Sequence, residues 1–456
     1  MKRLAWVSAG LVLLGGLALL AVVPTRAQQP GAAEPATPAP TATAPAPEAP
    51  ATEPPAAETP ASESAPEPEV VYDVDYDVRI VPTERAARVT ISVRDPDDGL
   101  LSIRFSHDPE RHLDWTGSGD VLVEDEWVAW TPPKLGGQLR YTVRIDHLRN
   151  EHSYDARATR NWALLRGDAL VPPARVRTDR MAHARARLRL RLPEGWSAVV
   201  PFRRLDDGRY AIENPHRRFD RPTGWMVFGR LGVVRERIAG SSIAIGGPVG
   251  HGQRRQDMLA LLRWTLPVLR KIAPLPERIA VVGATDPMWR GGLSGPSSAY
   301  LHTSLPLISE DGTSPLLHEI VHVWMGARAG DDGDWIVEGL AELYSLEALA
   351  RSRTISKRRH ERALAKLAER GRSVRSVVAT PRASGAVTAR AVGLLRELDG
   401  EIRAATDGAR SLDDVMRELT RSNEAVSLAH FREICEEVAG TSLADFFSRR
   451  ELRRAP

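Results

Sequence analysis

His318 and His322 stand four residues apart, with Glu319 directly after the first. On a helix that spacing puts both imidazoles on one face, one turn from each other. Two neutral imidazoles so placed can share a tetrahedral zinc ion. Glu319 sits beside that face, angled so that its carboxylate reaches a water held by the metal and not the metal itself. The ion lowers the pKa of its water toward ~7 and polarises a carbonyl. A neighbouring carboxylate then takes the water's proton and passes it to a leaving amine. Ser314 and Pro315 open this stretch as good N-cap and first-turn residues. The third ligand is expected further on. Glu338 follows a Gly/Asp-rich turn, Gly330-Asp331-Asp332-Gly333, in a second helical stretch that Asp334 is placed to cap. A helix, a tight turn and an antiparallel helix bring Glu338 against the two histidines and leave a fourth position open for solvent, as a catalytic zinc site requires. Glu342, one turn later on the same face, is read as the carboxylate that orients a ligand histidine. The alternative makes Glu342 the ligand and leaves Glu338 out. One cysteine, Cys435, is present. It excludes an internal disulfide framework and a cysteine-based zinc site, and reads as a small buried hydrophobe of a C-terminal helix.

The elements that must position these groups have a clear order. Residues 70–80 alternate apolar and polar, as a half-buried strand does. Alternation returns at 88–93, 100–105, 122–130, 139–145 and 186–192, with Gly/Pro/Asp turn signals between. Many short strands at this spacing predict a β-sandwich over 70–245. From Gly252 the period becomes helical: Met258 to Leu269 marks a helix ending before Pro274, then 278–282 and 297–305 read as strands. The two chemistry-bearing helices close a catalytic domain over 246–350. Beyond it, 351–456 reads as a C-terminal helical domain, with capping signals such as Ser411. No internal repeat is found.

At these residues the chain resembles the gluzincin zinc metallopeptidases, most closely the glycyl aminopeptidase family. That family's His-Glu-x-x-His-x-Trp corresponds to His318 through Trp324, and its Trp-x-x-Glu-Gly to Trp335 through Gly339, with Tyr344 beyond. Leu192-Pro193-Glu194-Gly195-Trp196, Leu398-Asp399-Gly400-Glu401-Ile402-Arg403 and Gly440-Thr441-Ser442-Leu443 also look like family segments, in the family's order over about 70–450. The resemblance implies an α+β multidomain fold: a β-sandwich, a thermolysin-like zinc catalytic domain and a helical bundle. It implies one zinc ion and a peptide or protein substrate. It also places Gly291, Gly292, Leu293 and Ser294 at the substrate. There the family's glycine-rich edge strand normally carries a Glu that grips a free amine; Ser294 stands instead, which makes internal cleavage as plausible as removal of N-terminal residues. The strand at 298–303 is expected to pair with an extended peptide. A family tyrosine that stabilises the oxyanion has no counterpart, because no tyrosine follows Tyr344. Arg390, Arg382 and His360 are the candidate substitutes, each more readily read as a surface residue, as is His430. Losing one such donor typically costs ~2.7–4 kcal/mol of transition-state stabilisation.

The formal charge is +3, but Lys2, Arg3 and Arg26 flank an apolar run at 4–23, and 28–69 contains acids and no base. Without a dense Lys/Arg run interleaved with aromatics, nucleic acid is excluded as a partner. Residues 1–27 read as a signal peptide ending at Ala27, or as a retained anchor, since roughly 20 apolar residues suffice to span a membrane. Residues 28–69, almost wholly Ala, Pro, Thr, Ser and Glu, have nothing large to bury and read as a disordered linker. The folded part is therefore expected outside the cytoplasm, in a periplasm, either free or tethered. Two function classes remain beside the peptidase: a catalytically impaired relative that keeps zinc and binds peptides, and an envelope scaffold.

Overall fold

The structure is a computed structural model and describes residues 71–179, 182–213, 219–422 and 424–453. The expected export segment 1–27 and linker 28–69 lie outside the described residues. Among those described, no helix is long and apolar enough to cross a membrane.

Alternation dictates the N-terminal sheets. In the strand Val71–Val81 the side chains of Tyr72, Val74, Tyr76, Val78 and Ile80 are all buried, one residue in two, as a pleated strand on a core requires. It pairs antiparallel with Ala86–Asp95 and parallel with His183–Arg191 at the centre of a seven-stranded sheet. A four-stranded and a five-stranded sheet complete this sheet-rich region. Apolar residues of all three form one core, including Ile91, Phe105, Trp130, Leu165 and Phe228. The single strand expected at 122–130 is two, Asp120–Val123 and Trp127–Thr131, paired as a hairpin. The consecutive acids Glu124, Asp125 and Glu126 make the turn, closed by the Glu124 N–H on the Trp127 carbonyl at 2.9 Å.

A fourth sheet has the order Leu231–Ile238, Ser241–Pro248, Arg278–Val282, Ser298–Leu301, Gly292–Gly295. Ser241–Pro248 runs parallel to Arg278–Val282, and the helix Arg255–Ile272 crosses between them. The boundary expected at 245 thus falls inside a strand, because the hairpin 231–248 is hydrogen-bonded onward to Arg278–Val282. Helices Pro315–Met325 and Asp334–Arg351 pack over this sheet, followed by Lys357–Gly371, Ala386–Ala405, Leu412–Arg421 and Leu428–Ala439. One core joins them, from Ile245, Val281 and Leu301 on the sheet to Leu317, Leu340, Leu395 and Phe431 on the helices. A smaller cluster of Trp225, Val227, Val282 and Tyr300 fastens the five-stranded sheet to the fourth, and the Trp225 N–H donates to the Ser298 hydroxyl at 2.7 Å.

One buried charge breaks the alternation of the first strand. Asp73 accepts from Arg185 Nε at 2.6 Å and also from Arg94, tying three strands together. The Arg185 hydrogen bond, with Arg94 adding to it against the cost of burial, lowers its pKa to about 2. The unfolded carboxyl titrates near its ordinary value, so this contribution to stability is complete above roughly pH 4. It is lost as pH falls through about 2. Both arginines are largely exposed, so solvent screens the pair to about 1 kcal/mol. Asp73→Asn is expected to lower stability by about that amount at neutral pH and to flatten the acid limb of a denaturation-versus-pH series.

Candidate metal centre

The helix Pro315–Met325 begins where the sequence says it should. The Ser314 side chain accepts the Leu317 N–H at 3.2 Å, and Gly326, at φ 64°, ends the helix in a left-handed turn. Leu316, Leu317, Ile320, Val321, Val323, Trp324 and Met325 are buried, which fixes the helix rotation. His318 and His322 are left half-buried on the remaining face.

The helix Asp334–Arg351 supplies the opposite wall. Asp334 is not its cap, as expected, but its first helical residue; Gly333 holds the cap position without a side-chain bond. The Asp334 carboxylate accepts the Ala383 N–H instead, tying the helix start to the segment before Ala386–Ala405. Burial of Trp335, Ile336, Leu340, Ala341 and Tyr344 turns Glu338 and Glu342 toward the histidines. His318 Nε2 lies 3.1 Å from His322 Nε2 and 3.3 Å from Glu338 Oε2, and His322 Nε2 lies 3.5 Å from Glu338 Oε1. Ligand atoms of these three residues lie within 4.8 Å of one another. Glu342 Oε2 meets the other His318 nitrogen, Nδ1, at 3.0 Å. A carboxylate there takes a proton on Nδ1 and aims the Nε2 lone pair at His322 and Glu338. Glu338 thus joins the convergent group and Glu342 backs it.

The electrostatics ask for positive charge at this point. Burial pushes His318 toward neutrality, but the bonds to Glu338 and Glu342 outweigh it and raise its pKa to about 10. Burial pushes Glu338 up, yet the two histidines hold it down at about 2. Two lone-pair nitrogens and a carboxylate converge here, so the cluster repels itself unless a proton or a cation sits between. Two imidazoles and one carboxylate, with no thiolate and no further oxygen donor in the group, fit zinc better than calcium or magnesium.

Glu319 is buried beside the pair. Burial raises its pKa, His318 and His322 oppose the rise, and the nearby Ser294 main chain also favours the ionised carboxylate. Gly292 lies so close that a Cβ there would sit 2.7 Å from Glu319 Oε1. Gly292, Leu293 and Ser294 form the strand Gly292–Gly295, with Gly291 just before it. This strand, and not 298–303, is the sheet's edge. Ser298–Leu301 is flanked on both sides, by Arg278–Val282 and by Gly292–Gly295, because the chain folds back at Pro296-Ser297. The strand expected at 297–305 is correspondingly shorter.

Some neighbours carried no sequence signal. Trp289 covers Gly291, where a Cβ would be 2.1 Å from its ring, and the Arg149 guanidinium lies 4.3 Å over that ring. Main-chain bonds of 2.9 Å join Tyr154 to Pro287 and Trp289, so the N-terminal sheets hold the approach to the edge strand. Of the candidate substitutes for the missing tyrosine, Arg390 is bound to Glu451 and Glu397 and His360 lies 3.3 Å from Glu347. Arg382 precedes Ala383, and its charge acts on Asp334, one turn from Glu338. His430 lies beside Ser422 and Glu424, and Cys435 is buried in Leu428–Ala439.

No family model matches the sequence, and no curated protein matches it. Solved structures do match the fold. An aminopeptidase N family protein from Idiomarina loihiensis superposes with a TM-score of 0.64 at 14% identity, over 84% of this chain and 76% of its own. A glutamate-to-alanine variant of the M1 zinc metallopeptidase from Deinococcus radiodurans, bound to the peptide Tyr-Ser-Ala, gives 0.52 at 17% identity over 85% and 95%. Native yeast LTA4 hydrolase gives 0.52 at 12% identity over 85% and 69%. The sheet-rich N-terminal region and helical C-terminal part are thus arranged as in the M1 metallopeptidases.

Two substitutions separate the layers of this arrangement. Glu342→Gln is expected to weaken zinc binding about 10–100-fold, read by competition with a chelator of known affinity. Gly333→Ala would place a Cβ 1.6 Å from the Val426 carbonyl; it is expected to lower stability by about 1–3 kcal/mol in a denaturant titration and to weaken zinc binding with it.

Proposed function

We propose that this chain, which has the fold of the M1 zinc metallopeptidases, is a zinc-dependent peptidase acting outside the cytoplasm. His318, His322 and Glu338 would hold one zinc ion. The carrying observation is the convergence of the two Nε2 atoms and the Glu338 carboxylate, with a buried Glu319 alongside. When bound, zinc supplies Lewis acidity, which acidifies water and polarises a carbonyl. Glu319 is the general base toward the attacking water and then the general acid toward the leaving amine. The edge strand lies against its carboxylate at Gly292, where a Cβ would sit 2.7 Å from Glu319 Oε1. Glu342 holds His318 in the tautomer whose Nε2 faces inward.

The catalytic part is a thermolysin-like domain whose sheet begins at the hairpin 231–248, preceded by the other sheets and sharing one core with the helices after 351. The edge strand Gly292–Gly295 can take an extended peptide as a further strand, next to Glu319. The peptide held by the Deinococcus radiodurans variant supports that substrate class. Ser294 offers no charge to a free α-amine, which supports cleavage whose position is not fixed by an amino terminus. The export reading of residues 1–27, with a tether through 4–23 and the linker 28–69, supports a periplasmic location.

A second reading keeps the zinc and gives up turnover. It is favoured by the absence of a tyrosine after Tyr344 and by the engagement of Arg390 and His360 elsewhere. Digestion of a mixed peptide library decides between them. Wild type is expected to cleave, and Glu319→Gln to keep its zinc while losing about 10²–10⁴-fold in rate. Equal activity in both proteins would end the peptidase reading, and no cleavage by either would favour the second.

A further inference from the structure

A sizeable cleft lies away from the candidate metal centre. It has a volume of about 660 Å³ and sits where the edge of the seven-stranded sheet meets the start of the fourth sheet. Leu190, Leu192, Trp196, Val200 and Phe202 line it. Each is only partly buried, packed against the N-terminal core on one side and facing the cleft on the other. Arg204, Arg235 and Arg278 line it as well, and among the described residues no carboxylate does.

The charge pattern sets this place apart. Arginines close by are neutralised: Arg203 meets Glu213, and Arg209 meets Asp75 and Asp207. Among the described residues, Arg204, Arg235 and Arg278 meet no carboxylate. Arg235 donates to the Ala198 carbonyl at 3.2 Å. Arg278 has its Nε buried with no acceptor. Glu277, next in sequence, does not line the cleft; its charge acts on Arg203. A guanidinium donor buried without an acceptor is costly, and three like charges around one cleft repel each other. An anion removes both penalties, and Arg is the side chain best shaped to take a carboxylate through two donors. The apolar side chains along one wall, Leu190, Leu192, Trp196 and Phe202, ask for an apolar body on that anion. The volume is that of an ordinary small-molecule site.

We propose that this cleft binds a single-chain amphipathic carboxylate of fatty-acid type, its head on Arg278 and Arg204 and its tail against Leu190, Leu192, Trp196 and Phe202. The site uses no group of the candidate metal centre, and the proposal stands or falls independently of the peptidase reading.

Calorimetric titration of the purified full chain with dodecanoate tests it, with dodecanol and inorganic phosphate as separate titrants. Saturable one-to-one binding of dodecanoate is expected, at least tenfold tighter than either control. Arg278→Gln and Arg204→Gln are each expected to weaken it at least tenfold. Arg204 is exposed, so its variant decides the matter should Arg278→Gln fail to fold, as judged by its thermal melt. Absence of dodecanoate binding, equal binding of dodecanol, phosphate binding as tight as dodecanoate, or unchanged affinity in Arg204→Gln would each overturn the proposal.

Discussion

Three electron-rich atoms forced into one small volume are what this architecture is organised around. His318 Nε2, His322 Nε2 and the Glu338 carboxylate stand 3.1–3.5 Å apart, a spacing that needs shared protons or a cation between them. The protein holds them there by burying the rest of both helices in a shared apolar core and by backing His318 with Glu342. The rotation of each helix is fixed by what it buries, and the site is the face left over.

The turn between the helices sets their separation. Its main chain is held from outside: the Gly330 N–H donates to the Val426 carbonyl and the Val426 N–H to the Arg328 carbonyl. Gly333 packs so closely on Val426 that no side chain fits. The segment before Leu428–Ala439 is therefore part of what aligns Glu338, although it contributes no reactive group. Gly292 does the same on the opposite wall, letting the edge strand lie directly on Glu319. The N-terminal sheets act through Tyr154 and Arg149, which secure the segment leading into that strand.

Features governed by neighbours in sequence were legible beforehand. The four-residue spacing of the histidines, the Ser314 cap and the placing of Glu338 across a tight turn all follow from helix geometry over a few residues. The alternating strands at 71–81, 86–95 and 183–191 were legible for the same reason. Features governed by distant pairing were not. Ser298–Leu301 looks like an edge strand until Gly292–Gly295 folds back over it, and the hairpin 231–248 looks like the end of one domain until Arg278–Val282 pairs with it. Asp334 has the composition of a cap, yet Ala383, far along the chain, claims its carboxylate. Trp289 and Arg149 belong to no motif, and their position beside Gly291 exists only once two regions meet.

The central claim concerns which atoms surround the ion. A crystal structure of the protein grown with zinc, with anomalous differences collected on both sides of the zinc edge, tests it most directly. One strong peak in contact with His318 Nε2, His322 Nε2 and the Glu338 carboxylate, with Glu342 still on His318 Nδ1, is the expected result. A peak held by Glu342 with Glu338 turned away, or no zinc among these residues at saturating metal, would contradict the account.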